Sequence, residues 1–262
     1  MSHRDAMKTG RWEIECDLAD GARIGRLRFD GVDLLTTKPA DFRPPAADHG
    51  RYETRPVYGY DDCFPTVDAC GHWPDHGELC WLRWSGTPVA CSVASALSPL
   101  RFARRLDFEA GCLRWNFAVE NSGDTPLPVQ HVMHPLMPAD KIDAIKLPTG
   151  QGYDASQVAA ELLALPPGNV RMLYLKNVTD GMVRIGFRQG LQLTVRFPTD
   201  LFPTLGIWWN NQGYPDEPGL RRAECAFEPV PGPDSTLTSG TTMTVPAQGR
   251  IAWHIDWEVA CR

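Results

Sequence analysis

The stretch Leu113-Arg114-Trp115-Asn116-Phe117-Ala118-Val119-Glu120 alternates large apolar side chains with polar or small ones. Successive side chains of a strand point to opposite faces, so this period of two marks a strand buried on one side and wet on the other. The same pattern returns near the C-terminus in Ile251, Trp253, Ile255, Trp257 and Val259. It is also present in Arg26 to Phe29 and in Leu191 to Phe197. Turn-forming residues separate the strands, as in Asn121-Ser122-Gly123-Asp124 and Arg188-Gln189-Gly190.

One segment has helical spacing. Val158, Leu162 and Leu165 fall on one face between Asp154 and Leu165. Asp154 or Ser156 can cap the start, and Pro166-Pro167 ends it. One short helix among a dozen or so strands predicts an all-β chain folded as a large antiparallel β-sandwich. No linker-like stretch divides residues 1–262, so the chain is expected to be a single domain. Lys38 to Asp62 carries four prolines and no periodicity, which predicts a segment laid across one face or used in function.

With 262 residues, 43% of them hydrophobic, the chain has enough apolar surface for a sizeable core. The net charge of −6 repels phosphate backbones and disfavours nucleic acid. No basic run suggests a membrane partner, and no run of about 18 apolar residues suggests a span. The N-terminal MSHRDAMKTG lacks the apolar stretch of a secretory signal, so a cytoplasmic location is expected. Eight cysteines without a C-x-x-C pair are expected to be reduced and mostly buried. The same spacing predicts no structural metal site.

Unusual residues concentrate in a few places. These are Tyr58 to Pro65, His72 to Leu79, Gln130 to Pro135 and Ala226 to Asp234. Four of seven histidines lie in the second and third segments, and histidine is the commonest acid–base residue near neutral pH. His131 and His134 are three residues apart, so on a regular strand they face opposite sides and only one can reach a pocket. Taken singly, each histidine is more readily a hydrogen-bonded structural residue, and Glu228 an exposed charge at the end of an apolar strand. A metal site on His72, His76, His131 or His134 with Asp75 or Glu78 fits no strong ligand template. Trp208-Trp209-Asn210-Asn211 pairs aromatic faces with amides, a combination that suits the apolar faces and hydroxyls of a sugar. One of the two tryptophans belongs to the core, because neighbours on a strand face opposite sides.

The order of these motifs resembles the aldose 1-epimerase (galactose mutarotase-like) family. Phe64-Pro65 comes first, then Asp75-His76-Gly77-Glu78-Leu79, then a strand through Trp81 and Trp84. Met133-His134-Pro135 follows, and last come Glu228-Pro229 and the Gly232-Pro233-Asp234 turn. The likeness runs from about Trp12 to Trp257 and rests on order and separation rather than on any single motif. It implies a supersandwich fold and interconversion of sugar anomers without a metal or organic cofactor. It casts Glu228 as the general base at the anomeric hydroxyl, His134 as the general acid at the ring oxygen, and His76 as the second histidine. Trp209, Asn210, Asp62 and Phe64 are the expected sugar contacts, with Asp61 and Asp68 as further aspartates that could grip a hydroxyl. The expected partner is a small-molecule sugar, on a monomer or homodimer.

Two departures stand out. The run after Phe64-Pro65 is Thr66-Val67-Asp68-Ala69, where family members often carry an arginine. Arg55 or Arg83 could replace it in space. Leu136 and Met137 follow His134-Pro135 in place of aromatic residues. The alternatives are a non-catalytic carbohydrate-binding protein on the same fold and an epimerase of a phosphorylated sugar. For the phosphorylated sugar, Arg101, Arg104 and Arg105 would supply the positive charge, although three such residues more commonly form an exposed strand face.

Overall fold

The computed structural model describes residues 5–39, 50–52, 55–215, 221–237 and 243–262. Among them are twenty β-strands and one α-helix. Every ladder between strands is antiparallel.

The stretch that opened the sequence reading lies at the centre of an eight-stranded sheet. Strand Cys112–Asn121 pairs with Gly249–Cys261 on one side and Leu100–Phe108 on the other. Its Leu113, Trp115, Phe117 and Val119 are buried, as the alternation requires. Trp115 meets Trp257 from the neighbouring strand with ring centroids 5.2 Å apart. These aromatic side chains bury large apolar areas, the main favourable contribution to folding. The hairpin Met182–Phe187 to Leu191–Arg196 turns at Gly190, whose φ of +84° suits glycine.

A six-stranded sheet begins with Asp5–Thr9, Trp12–Asp17 and Arg23–Phe29 and ends with Tyr60–Cys63 and Val132–Pro135. A four-stranded sheet runs Met137–Pro138, Ala223–Val230, Thr204–Asn211, Asn169–Lys176. The two sheets approach where Val132–Pro135 lies beside Ala223–Val230. That junction positions the site.

The helix spans Ala155–Leu163, and Asp154 caps it by accepting from the backbone N–H of Ser156 and Gln157. Its Leu162 is buried, together with Leu165 just beyond its end. All eight cysteines are free, and five of them are buried. The Lys38 to Asp62 expectation falls partly outside the described residues. Its end is regular, because Tyr60–Cys63 is a strand. No helix among the described residues is long and apolar enough to cross a membrane.

A buried polar cluster corrects the readings of Arg104 as a surface charge and of Asp62 as a sugar contact. Arg104 is not on an exposed strand face: it is 1% exposed and its guanidinium meets Asp62 at 2.5 Å. Asp62 also binds His131 Nε2 at 2.9 Å and accepts from the Tyr60 hydroxyl. Charge buried in the interior is tolerated when it is paired and hydrogen-bonded in this way.

Candidate active site

Strand alternation sorts the side chains of Tyr60–Cys63. Tyr60 and Asp62 point into the core, and Asp61 points the other way. Across the ladder His134 is the partner of Asp61, and Met133 is the partner of Asp62. His134 therefore faces outward, into a cleft. His131 lies in the core against Phe102, Phe117 and Trp253. The two histidines do part to opposite faces.

On the four-stranded sheet Glu228 pairs with Gly206, and Gly206 with Tyr174 on the next strand. A Cβ at Gly206 would sit 3.4 Å from Glu228 Cβ and 3.3 Å from Glu228 O. A side chain there would crowd Glu228 and the Val230 methyl at 3.3 Å. Glu228 is 4% exposed, not the surface charge its residue type suggests.

The cleft between these strands measures about 450 Å³. Its lining includes Tyr52, Asp68, Asp75, His76, His134, Trp208 and Glu228. His134 Nε2 stands 3.6 Å from Glu228 Oε1, too long for a hydrogen bond. Glu228 Oε1 has no hydrogen-bond partner among the described residues. Burial pushes the Glu228 carboxyl up to about 8. Burial, reinforced by nearby His76, lowers His134 to about 3. Both groups are thereby driven to their neutral forms, with the pair's one proton on Glu228.

His76 reaches the cleft through an unusual turn. Its φ is +60°, and that of Gly77 is +71°. A Cβ at Gly77 would lie 2.0 Å from Phe64 O, so only glycine fits. The turn is tied by His76 N to Val67 O at 2.6 Å and Glu78 N to Phe64 O at 3.0 Å. Glu78 is itself buried and accepts from Ala96 N at 2.9 Å and from the Ser95 hydroxyl. The Phe-Pro and His-Gly motifs are thus two halves of one support. The His76 ring stacks on Tyr52 at 3.7 Å and stands edge-on to His134 at 5.4 Å. Asp75 Oδ2 is 3.0 Å from His76 Nδ1, close enough for attraction but not aligned as a hydrogen bond.

Behind His134 lies a further layer. The Tyr52 hydroxyl is 3.3 Å from His134 Nδ1 and 3.5 Å from Asp61 Oδ2. Asp61 is gripped by Arg55 at 2.9 Å and by Arg23 at 3.3 Å. Although burial opposes ionisation, these two guanidiniums hold the Asp61 carboxyl down at about 2. Arg55 therefore supports the site from beneath and does not replace the absent sugar-contacting arginine. Arg83 is exposed and outside the lining.

The expected sugar contacts need correction. Asp62 is committed to Arg104 and His131 in the core. Phe64 is fully buried against Phe102 at 5.1 Å and holds the His76 turn instead. Trp209 packs on Phe227 in the core, and Trp208 is the tryptophan in the cleft. Asn210 is fully buried and accepts from the backbone N–H of Gly213 at 2.8 Å and Tyr214 at 3.0 Å. Its work is to set Tyr214 in the wall. Of the aspartates, Asp68 lines the cleft, held by Ser235 and Thr236. Tyr52 escaped the sequence reading because it sits in the unpatterned, proline-rich stretch. The Val170, Met172, Tyr174 face carried only a weak signal, because Leu173 and Leu175 on the opposite face of Asn169–Lys176 are equally apolar.

Among the described residues no group of three or more His, Cys, Asp or Glu side chains is placed to hold a metal ion. His72 lies against Trp73, and His131 is committed to Asp62.

A protein from Synechocystis sp. PCC 6803 superposes on the whole of this chain and 97% of its own, with a TM-score of 0.75 at 16% identity. A galactose mutarotase-like protein from Clostridium acetobutylicum matches 98% of this chain and 95% of its own, with a TM-score of 0.69 at 14% identity. The chain has the galactose mutarotase-like fold. A provisionally named aldose 1-epimerase from Escherichia coli K12 matches both chains end to end, with a TM-score of 0.71 at 15% identity. No protein-family model matches the sequence. No curated protein matches it either. At these identities the likeness establishes the galactose mutarotase-like β-sandwich, and the chemistry has to be argued from the cleft.

Proposed function

We propose that this chain is an aldose 1-epimerase-type enzyme that interconverts the α and β anomers of a sugar in the His134–Glu228 cleft. The observation that carries the reading is the pair itself: two proton-carrying groups, 3.6 Å apart, side by side on the lining of a cleft of about 450 Å³.

Opening a pyranose needs one group to take the proton of the anomeric hydroxyl and another to give a proton to the ring oxygen. The C1–O5 bond breaks, the aldehyde turns about C1–C2, and reclosure from the other face exchanges the two roles. The pair must therefore hold one proton in total. As carboxylate and imidazolium, Glu228 acts as base and His134 as acid, the roles that the family resemblance implies. Burial in the cleft puts the proton on Glu228 instead. From that start His134 takes the hydroxyl proton and Glu228 protonates the ring oxygen. Both routes use the same single proton and arrive at the same product. His76, fixed by its turn and its stack on Tyr52, holds a sugar oxygen beside His134 in this reading, which its position edge-on to His134 supports.

Polarimetry on freshly dissolved single anomers tests this. The wild type speeds the approach to anomeric equilibrium, and Glu228→Gln removes the acceleration. Sugar binding with no acceleration by the wild type would instead make the chain a non-catalytic carbohydrate-binding protein.

A further inference from the structure

The far wall of the cleft outruns a single sugar. In the four-stranded sheet the row Glu228, Gly206, Tyr174 lies nearest the acid–base pair. The next row holds Trp208 and Met172, and Val170 lies one row further, opposite Asn210. Strands are spaced about 4.8 Å apart and two residues advance about 6.6 Å, which puts the Met172 Cα about 12 Å and the Val170 Cα about 16 Å from the Glu228 Cα along the sheet. A pyranose, built from bonds of about 1.5 Å, reaches roughly 6 Å with its hydroxyls. With its anomeric carbon at Glu228 and His134, one ring stops short of Met172 and Val170.

That outer wall is apolar and uncovered. Val170 is 40% exposed and Met172 41% exposed, on one strand and one face. Both line the same cleft as Glu228. Large apolar side chains left adjacent and wet beside a pocket mark a surface that a ligand covers. The charge of the cleft narrows the ligand further. No lysine or arginine is among its described lining residues, and Asp68 and Asp75 flank the pair. Arg101, Arg104 and Arg105 lie outside the lining. Among the described residues an anionic substituent would meet carboxylates without a compensating cation.

We infer that the substrate is an uncharged aldose carrying an apolar substituent at the end remote from its anomeric carbon, and that Trp208, Met172 and Val170 cover that substituent. The inference rests on the epimerase reading for the placement of the anomeric carbon, and it adds the substrate class. A substituent of this kind gains affinity by burying methylene groups, roughly tenfold for every two covered.

The test compares D-glucose, 6-O-butanoyl-D-glucose and D-glucose 6-phosphate. Anomer exchange and binding are both read by saturation-transfer NMR, on the wild type and on Met172→Asp. The expected result is binding of the butanoyl sugar at least tenfold tighter than of glucose, little binding of the phosphate, and collapse of that preference in Met172→Asp. Val170→Asp, on the same exposed face, repeats the measurement should the first variant fold poorly. Equal binding of glucose and its butanoyl ester, or preference for the phosphate, overturns the inference. A butanoyl preference in binding without exchange of any sugar leaves the inference standing and defeats the epimerase reading.

Discussion

His134 Nε2 and Glu228 Oε1 face each other at 3.6 Å, one carried by the last strand of the six-stranded sheet and the other by the four-stranded sheet. Each is buried, and each is pushed towards its neutral form. The active pair holds one proton, and this fixes its pH range. Below about 3 His134 gains a second proton, and above about 8 Glu228 loses the only one. Anomer exchange is expected to be flat through the neutral range and to fall tenfold per pH unit above about 8. A profile of kcat/KM against pH on any accepted sugar checks this. A fall centred near pH 4.5 to 6.5, where these groups ordinarily titrate, would contradict it.

The same burial has a cost in stability. A carboxyl raised from 4.5 to about 8 keeps its proton in the folded state while the unfolded chain releases it. The unfolded state then binds fewer protons, so this group's contribution falls as pH rises from about 4.5 to 8. Glu228→Gln cannot titrate. It is expected to melt progressively higher than the wild type as pH rises through that window, and thermal melts of both proteins at pH 5 and pH 8 measure the difference. A gap that is constant or shrinks with pH would be inconsistent with a buried neutral Glu228.

Tyr52 joins the two histidines through a stack on His76 and a hydroxyl 3.3 Å from His134 Nδ1. With Asp61 ionised, the hydroxyl can donate to Asp61 and accept from His134 Nδ1, leaving Nε2 bare towards Glu228. Tyr52→Phe keeps the stack and removes the link. Losing one such hydrogen bond predicts a fall in kcat of about 5- to 10-fold with KM little changed. Steady-state kinetics on the variant, with a pH profile whose acid limb moves, separates this positioning role from a packing defect.

Asp62 provides the complementary case. Its carboxylate neutralises Arg104 in the core. Asp62→Asn leaves a buried guanidinium uncompensated, which typically costs about 3–5 kcal/mol. Urea unfolding is expected to show that loss, while KM of the folded enzyme stays near the wild-type value. A raised KM at unchanged stability would return Asp62 to the sugar.

Period-two patterning made much of this legible in advance. Leu113 to Glu120 and Ile251 to Val259 read as strands, and they form the centre of the largest sheet. The three-residue spacing of His131 and His134 foretold their separation, because alternation alone decides it. The same rule required one of Trp208 and Trp209 to be core, but it cannot say which. That depends on which face of Thr204–Asn211 packs inward, and the structure assigns Trp209 to the core. Asp62 and Phe64 misled because proximity to a motif is not proximity to a cleft. Both point inward from the segment that supports the site. Tyr52 carried no pattern at all, since its place follows from long-range packing against His76 and His134.

Saturation-transfer exchange between the anomers of one sugar, measured on the wild type and on Glu228→Gln under identical buffer, tests the central claim most directly. The account predicts acceleration by the wild type and a loss on the order of 100- to 10,000-fold in the variant. Equal exchange rates for the two proteins would show that Glu228 carries no proton in the reaction and would contradict the account.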